Sequence, residues 1–308
     1  MMSVGYIYDK LFLEHKTPAG HPESKERLIA INRRLKETGV WDRLVHIVPR
    51  KAARDDLIAV HSSGYVDGIL RKTMPGFLDG GDTYFSEGTL DASLLAAGSL
   101  LSALDSIADN KISRCFCAVR PPGHHAEKNR SMGFCVFNNV AVGARYAQKK
   151  GFERVFIIDF DVHHGNGTEH IFEEDPTVFY FSTHQYPHYP GTGSEQSTGI
   201  GAGKGFNRNI QMAAGSGDEE YLYVYGKVLP ELIRKFKPSI LLISAGYDIH
   251  IQDPLSQIRV TTAAIGSMVE GLLGAVSGLP SIFCLEGGYN LDGLSGAVVQ
   301  TIEKMLVT

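Results

Sequence analysis

The segment RVFIIDFDVHHGNG, residues 154–167, is the strongest indication of the fold of this chain. Its first half is an almost unbroken apolar run, which is typical of a parallel strand buried on both faces of a sheet. The segment SILLIS at 239–244 has the same character. Each run is followed by glycine and by Asp or His, so both strands end in loops with chemically active side chains. Strands of this kind need helices to cover them and therefore indicate an α/β fold.

Further segments along the chain extend this pattern. Strands are predicted at Val4–Tyr8, Arg114–Val119, Arg154–Phe160, Val178–Ser182, Asn209–Met212, Ser239–Ser244 and Ser281–Leu285. Helices are predicted at Glu23–Lys36, Leu90–Asp109, Asn139–Lys149, Asp218–Phe236, Thr261–Ser277 and Leu291–Leu306. We expect Asp218 to cap the start of its helix and Pro230 to kink that helix. The alternating order predicts one domain over residues 1–308, with a parallel sheet and helices on both faces.

The composition is that of a globular protein. Of the 308 residues, 43% are hydrophobic and 21% are charged. The near balance of 30 basic and 34 acidic residues, a net charge of −4, gives no electrostatic footprint for nucleic acid. Because no apolar run of about 18 residues and no signal peptide is apparent, we expect no membrane span and a cytoplasmic protein. The four cysteines lack the spacing of a disulfide framework or a structural zinc site.

Four glycine-containing loops follow predicted strands and carry His, Asp or Tyr. They are RPPGHHA (120–126), HHGNG (163–167), SAGYD (244–248) and EGGYN (286–290). In an open α/β sheet, ligands bind beyond the carboxyl ends of the strands, so these loops predict a site there. The glycine-rich stretch 199–205 leads into a strand rather than into a helix, which argues against a nucleotide-binding loop.

The loop after the first quoted strand indicates a metal site. Side chains alternate in extended backbone, so Asp159, Asp161 and His163 should project to one side. Any two of them are candidate metal ligands, and the third would then orient one of the ligands. In the alternative interpretation a strand-end Asp caps a helix, which accounts for one of these groups but not for three. Asp248, at another strand end, completes a set in which Asp161, His163 and Asp248 leave one position open. Zinc or iron(II) suits these donors, and an open position is typical of a catalytic ion.

The adjacent pair His124 and His125 is the candidate general base. Imidazole titrates near neutral pH, and each ring needs a partner on its far nitrogen, for which Asp159 and Asn166 are the candidates. Tyr289, after two glycines, is placed to donate a hydrogen bond to a developing oxyanion, although a tyrosine there is also a common packing residue.

Taken together, the motifs resemble those of the histone deacetylase and acetylpolyamine amidohydrolase family. In chain order they are HPESKERL (21–28), RPPGHHA (120–126), MGFCVFNNVA (132–141), DFDVHHGNGT (159–168), YPGTG (189–193), SAGYDIHIQDPL (244–255) and EGGYN (286–290). The pairing of His125 with Asn166, where some branches place Asp, resembles class II and polyamine-deacetylating members rather than class I. The resemblance spans about residues 5–300.

The resemblance implies a fold, a cofactor and roles for residues. The fold is a single arginase-like α/β domain with a parallel sheet of about eight strands. One zinc ion, with iron(II) as an alternative, is held by Asp161, His163 and Asp248. The catalytic groups are His124, His125, Tyr289, Asp159 and Asn166. The substrate channel is formed by Gly133, Phe134, Tyr189, Leu255 and Asp82. The alternative for Phe134 and Tyr189 is that they are hydrophobic core residues. A structural potassium ion is implied near Asp159, Asp161, His163, Ser182 and Thr183.

The implied reaction is removal of an acetyl or other short acyl group from an amine. Leu255 stands where a carboxylate favours cationic acetylpolyamines, so the leucine favours acetyl-lysine or a neutral small amide. The expected substrate is acetyl-lysine in a peptide or protein, and an acetylpolyamine or another small amide is the alternative. Neither a nucleic acid nor a membrane is an expected partner. The loop 184–207 is expected to form either a channel wall or a contact in a homo-oligomer.

Two other classes of protein remain as alternatives. An arginase-like ureohydrolase needs a second metal held by an Asp two residues past the ligand histidine, where this chain has Gly165. A non-catalytic acyl-lysine-binding scaffold is expected to have lost a metal ligand, a member of the histidine pair or the tyrosine, and all of these are present.

Overall fold

The fold is built on one parallel sheet. The computed structural model describes residues 3–276 and 278–308. Its strands are β1 Val4–Ile7, β2 Val45–Ile47, β3 Gly76–Phe77, β4 Tyr84–Phe85, β5 Arg114–Cys117, β6 Val155–Asp159, β7 Val178–Gln185, β8 Asn207–Met212, β9 Ile240–Ala245 and β10 Ser281–Leu285. Eight of them form the sheet in the order β2-β1-β5-β10-β9-β6-β7-β8, and β3 with β4 forms a separate antiparallel hairpin. The prediction of a parallel sheet of about eight strands is confirmed.

Helices flank the sheet, as predicted. They are α1 Glu26–Glu37, α2 Arg54–Leu57, α3 Ser63–Leu70, α4 Thr89–Ala108, α5 Asn139–Lys149, α6 Asn166–Phe172, α7 Asp218–Tyr223, α8 Leu229–Phe236, α9 Thr262–Ala275 and α10 Leu291–Val307. One group, α4 and α5, packs against the middle strands, while α1, α9 and α10 pack together as a second group. The central strands β5, β6, β9 and β10 are buried along their whole length, which explains their largely apolar composition.

The strand order brings the predicted loops together. β9 lies between β6 and β10, with Asp159 opposite Ser244 and Leu285 opposite Ala245. Because all of these strands run in the same direction, the loops that follow β5, β6, β9 and β10 emerge at one edge of the sheet.

Side-chain caps fix the starts of helices near this edge. The Asn138 side chain accepts a hydrogen bond from the Ala141 backbone amide at the start of α5. The Asn290 side chain does the same for Gly293 at the start of α10. Such a cap stabilises a helix by about 1 kcal/mol. Asn290 also fixes the chain directly after Tyr289, so the end of the EGGYN loop is defined by a helix start.

The prediction for the helix over Asp218–Phe236 was partly wrong. Gly217 precedes the first turn, and the Asp218 carboxylate instead accepts hydrogen bonds from the backbone amide and hydroxyl of Thr261. Asp218 therefore links two helices rather than capping its own. The irregularity expected at Pro230 is a π-helical turn over Val224–Val228, directly before the proline.

Several boundaries differ from the prediction because buried polar residues hide the pattern. β7 continues past Ser182 to Gln185, and β8 begins at Asn207. α1 begins at Glu26, because Glu23 is buried in an ion pair instead. The short elements β2, β3, β4, α2, α3 and α6 have too few residues to show a period, and the sequence did not predict them. Ser277, the predicted end of α9, lies outside the described residues.

α4 corrects the expectation that no segment is long and apolar enough to cross a membrane. Its 20 residues, Thr89–Ala108, meet that criterion by length and composition. However, 72% of the most apolar 18 residues of α4 are buried within the protein, where the helix packs on α5 and the sheet. A buried core helix meets the same criterion, so α4 is only weak support for a membrane span.

Candidate active site

Three side chains from two strand ends converge at the carboxyl edge of the sheet. Asp161 and His163 follow β6, and Asp248 follows β9. One donor atom from each lies within 4.8 Å of the other two. His163 Nδ1 is 3.1 Å from Asp161 Oδ1 and 3.1 Å from Asp248 Oδ2. The structure therefore brings the three predicted metal ligands together.

Backbone amides orient both carboxylates. The Gly287 amide donates to Asp161 Oδ2 at 2.7 Å, and the Val162 amide donates to Asp248 Oδ1 at 2.9 Å. A Cβ atom at Gly287 would lie only 2.2 Å from Asp248 Oδ2, so this close approach requires glycine. Each carboxylate therefore keeps an oxygen directed towards His163.

The charges of this group fit a divalent cation. Burial opposes ionisation of Asp161, but the His124 and His163 rings outweigh it and lower the pKa of Asp161. Burial and the Asp161 charge raise the pKa of Asp248. The two carboxylates outweigh burial at His163 and raise its pKa to about 10. Two buried carboxylates and an imidazole that compete for one positive charge form a donor set that suits zinc.

The two adjacent histidines have different partners and opposite charge preferences. His124 Nδ1 is 3.0 Å from Asp159 Oδ2, and His125 Nδ1 is 2.8 Å from Asn166 Oδ1. Burial would lower the pKa of His124, but Asp159 and Asp161 outweigh it and raise that pKa to about 10. Burial, followed by the charge of His124, lowers the pKa of His125. Neighbouring groups with divergent pKa values are typical of an acid and base pair.

Tyr289 presents a protonated phenol to the same site. Burial raises its pKa well above the usual value, so the hydroxyl remains a hydrogen-bond donor. Its backbone amide donates to Asp253 Oδ2 at 2.6 Å, and the Arg27 guanidinium carbon lies 5.1 Å from its ring centroid. Tyr289 is thus held through both its backbone and its ring.

A single pocket of about 210 Å³ is lined by four of these residues, His124, His125, His163 and Tyr289. Its walls are Asp82, Pro122, His124, His125, Gly133, Phe134, His163, Tyr189, Leu255, Gly287 and Tyr289. All five residues predicted for the substrate channel line it. The Phe134 ring meets Tyr289 edge to face at 6.1 Å, and Tyr189 meets His125 at 5.3 Å. Tyr189 therefore makes part of the loop 184–207 a pocket wall, while residues 184–185 belong to β7 and residue 207 to β8.

Asp82 lines the pocket, but one of its carboxylate oxygens already accepts a hydrogen bond from the protein backbone. Oδ1 accepts a hydrogen bond from the Gly133 amide at 3.2 Å. Burial and the neighbouring Asp79 raise the pKa of Asp82 to about 6.

The residues predicted around potassium lie next to one another. Ser182 is opposite Asp159 in the register of β6 and β7. The Ser182 hydroxyl is 2.9 Å from His184 Nδ1, and the Thr183 hydroxyl is 3.0 Å from the Tyr225 hydroxyl. Both side chains thus have partners within the protein, and the potassium site stays a prediction.

The sequence did not predict the buried charges that support the site. Glu286 Oε2 accepts from the Gly123 amide at 2.7 Å and from the His124 amide at 3.2 Å, which holds the histidine loop against the EGGYN loop. Arg27 Nε donates to Gly288 O at 2.7 Å, and Arg120 donates to Glu23 Oε2 at 2.7 Å. These residues lie within the motifs quoted above, which was the only sequence signal for them.

At the carboxyl edge of this parallel sheet, an Asp-His-Asp group that could hold a metal ion lies beside a pocket lined by a histidine pair and a tyrosine. The family model described as the histone deacetylase domain matches residues 21–305. This chain belongs to the histone deacetylase family.

Individual relatives agree with this assignment. A probable deacetylase of Archaeoglobus fulgidus is 36% identical over 95% of this chain and 83% of its own length. Histone deacetylase 14, chloroplastic, of Arabidopsis thaliana is 40% identical over 93% of this chain and 73% of its own length. The human polyamine deacetylase HDAC10 is 35% identical over 92% of this chain but 44% of its own length. The crystal structure of the HDA15 HD domain superimposes with a TM-score of 0.94 at 36% identity and covers 99% of this chain and 88% of that one.

Proposed function

We propose that this protein is a zinc-dependent amidohydrolase that removes the acetyl group from acetyl-lysine in a peptide or protein. The observation that carries the proposal is the single pocket lined by His125, Tyr289 and His163, where His163 belongs to the Asp161–His163–Asp248 group. A metal site, a neutral base and an oxyanion donor within one pocket are the components that amide hydrolysis requires.

Each residue has a separate task in this proposal. Bound by the Asp-His-Asp group, zinc would supply Lewis-acid polarisation of the amide and of the attacking water. His125, neutral and oriented by Asn166, takes a proton from that water. The Tyr289 hydroxyl donates to the carbonyl oxygen as negative charge develops there. His124, held protonated by Asp159, offers a proton to the departing amine.

We propose one divalent metal ion per chain, with zinc preferred to iron(II). The second metal of a ureohydrolase requires a carboxylate at position 165. A Cβ atom at Gly165 would lie 2.2 Å from Asp159 Oδ2 and 2.6 Å from the Tyr180 hydroxyl, so no larger residue fits there. This contact supports a mononuclear site. A potassium ion beside Asp159 and Ser182 is a second, structural proposal.

The choice of acetyl-lysine over a polyamine rests on Leu255. It is an uncharged residue on the pocket wall and offers no counter-charge to a second amine of the substrate. The names of the relatives include both histone and polyamine deacetylases. An acetylated small amine is therefore the second candidate substrate, and the experiment below separates the two.

The test is acetate release by the zinc-loaded protein from a panel of acetyl-lysine peptide, free acetyl-lysine, acetylputrescine and acetylspermidine. We expect the peptide to have the highest kcat/KM. Leu255→Glu should raise kcat/KM for acetylspermidine about fivefold, since one ion pair in water contributes about 1 kcal/mol. Leu255→Gln is the uncharged control and should not do so. A wild-type preference for acetylspermidine would contradict the peptide assignment.

A further inference from the structure

A chain of side chains extends behind His125, away from the pocket. The Asn166 amide bridges it: its Oδ1 is 2.8 Å from His125 Nδ1, and its Nδ2 donates to Glu127 Oε1 at 2.6 Å. Glu127 in turn is 2.9 Å from His170 Nδ1. The Glu127 side chain is 10% exposed and that of His170 is 42% exposed, so the chain runs from the pocket to the surface.

The charge of Glu127 determines which way the Asn166 amide faces. Burial opposes ionisation of Glu127, but hydrogen bonds from His170 and Asn166 outweigh it and lower the pKa of Glu127. An ionised carboxylate only accepts hydrogen bonds, so the Asn166 group that faces Glu127 must be the NH2. The carbonyl oxygen of Asn166 then faces His125.

The orientation of Asn166 in turn determines the tautomer of His125. A carbonyl oxygen only accepts, so His125 Nδ1 must carry the proton. In the neutral ring, Nε2 then has a free lone pair on the pocket side. This is the form of histidine that can act as a general base.

We propose that Glu127 is a positioning residue for His125: through Asn166 it holds the imidazole in the tautomer whose Nε2 accepts a proton from water. The proposal rests on the proposed function for its kinetic consequence, but the tautomer itself is measurable without turnover. The Glu127 carboxylate therefore acts on His125 through the Asn166 amide and does not contact the imidazole directly.

Glu127→Gln removes the charge and keeps the shape. Because a glutamine amide both donates and accepts, Asn166 is then free to turn its NH2 towards His125 and favour the Nε2–H tautomer. The imidazole ¹⁵N signals of histidine-labelled, zinc-loaded protein report this directly, with His125 identified by the loss of its signals in His125→Ala. We expect Nδ1–H in the wild-type protein and a shift towards Nε2–H in Glu127→Gln.

The kinetic consequence should appear in kcat. Loss of such an indirect partner typically costs about 10- to 100-fold in activity. We expect kcat of Glu127→Gln to fall by that factor with KM changed less than threefold, because Glu127 does not line the pocket. The exposed Arg130 lies 3.8 Å from Glu127, and Arg130→Gln is the control that should leave both measurements unchanged.

A double variant separates positioning from packing. Combining Glu127→Gln with Asn166→Asp exchanges the carboxylate and the amide, so an acceptor-only group again faces His125 Nδ1. We expect this variant to regain the Nδ1–H tautomer and most of the lost kcat. A folded double variant without recovery would overturn the proposal, as would an unchanged tautomer in Glu127→Gln. The spectrum of the wild-type protein does not depend on the folding of any variant, and an Nε2–H tautomer of His125 in that spectrum would also overturn the proposal.

If the protein turns over none of the substrates, the proposed function fails. The ¹⁵N spectra still test whether Glu127 sets the tautomer of His125.

Discussion

Glu23 is the residue on which two loops of the site depend. Its side chain is completely buried and receives Arg120 from the histidine loop at 2.7 Å and Arg27, which holds the EGGYN loop, at 3.2 Å. Burial opposes its ionisation, but Arg120 and His15 outweigh that and lower the pKa of Glu23 well below its usual value. Two buried arginines therefore share one carboxylate as their counter-charge.

Glu23→Gln should destabilise the protein by about 3–5 kcal/mol at pH 7, because it leaves buried arginine charge without compensation. A carboxylate with a lowered folded-state pKa stabilises the protein above its unfolded pKa of about 4.3, and this contribution is lost as pH falls through the folded value. The difference from wild type in urea unfolding should therefore shrink below about pH 4. Glu14→Gln, in an exposed ion pair, is the control. A loss below 1 kcal/mol at pH 7 would show that the network does not depend on this charge.

The turn between β6 and α6 is the element that aligns metal ligands and base. It carries Asp161 and His163, and Asn166 follows it as the first residue of α6. Gly165 lies between them with Asp159 Oδ2 and His124 Nδ1 close to the position of its missing side chain. The turn can therefore pack on the His124–Asp159 pair only while residue 165 is glycine.

Gly165→Ala should reduce kcat by about 100-fold, since a displacement of about 1 Å in a catalytic group has an effect of that order. Acetate release and circular dichroism on the same sample measure the change and check the fold. Gly64→Ala, at a helical glycine with open space around it, is the matched control and should be silent. Activity within threefold of wild type in Gly165→Ala would mean that the turn adapts without moving the base.

At the scale of the whole molecule, the sequence predicted the sheet better than the elements around it. Strands such as β6 and β9 are continuous apolar runs, because burial on both faces leaves no alternative composition. The hairpin β3–β4 and strand β2 are too short to show any period, and only tertiary contacts define them.

For the candidate site too, some residues could be predicted from the sequence and others could not. The residues at the centre of the site stand in recognisable motifs after strands, so Asp161, His163 and Asp248 were predicted as a set. The supporting carboxyl groups Glu23, Glu127 and Glu286 were not, because each has at least one partner that is distant along the chain; Glu23 and Arg120, for example, are 97 residues apart. No local pattern encodes such pairs.

The proposed deacetylase activity is best tested by acetate release from wild-type protein and Tyr289→Phe, with zinc content determined on the same samples. We expect one zinc per chain in both proteins, because phenylalanine keeps the ring and Tyr289 is not a proposed ligand. We expect kcat to fall by about 10²- to 10³-fold in the variant, the usual consequence of losing one oxyanion donor. Turnover within threefold of wild type at equal zinc content would rule out Tyr289 as the oxyanion donor.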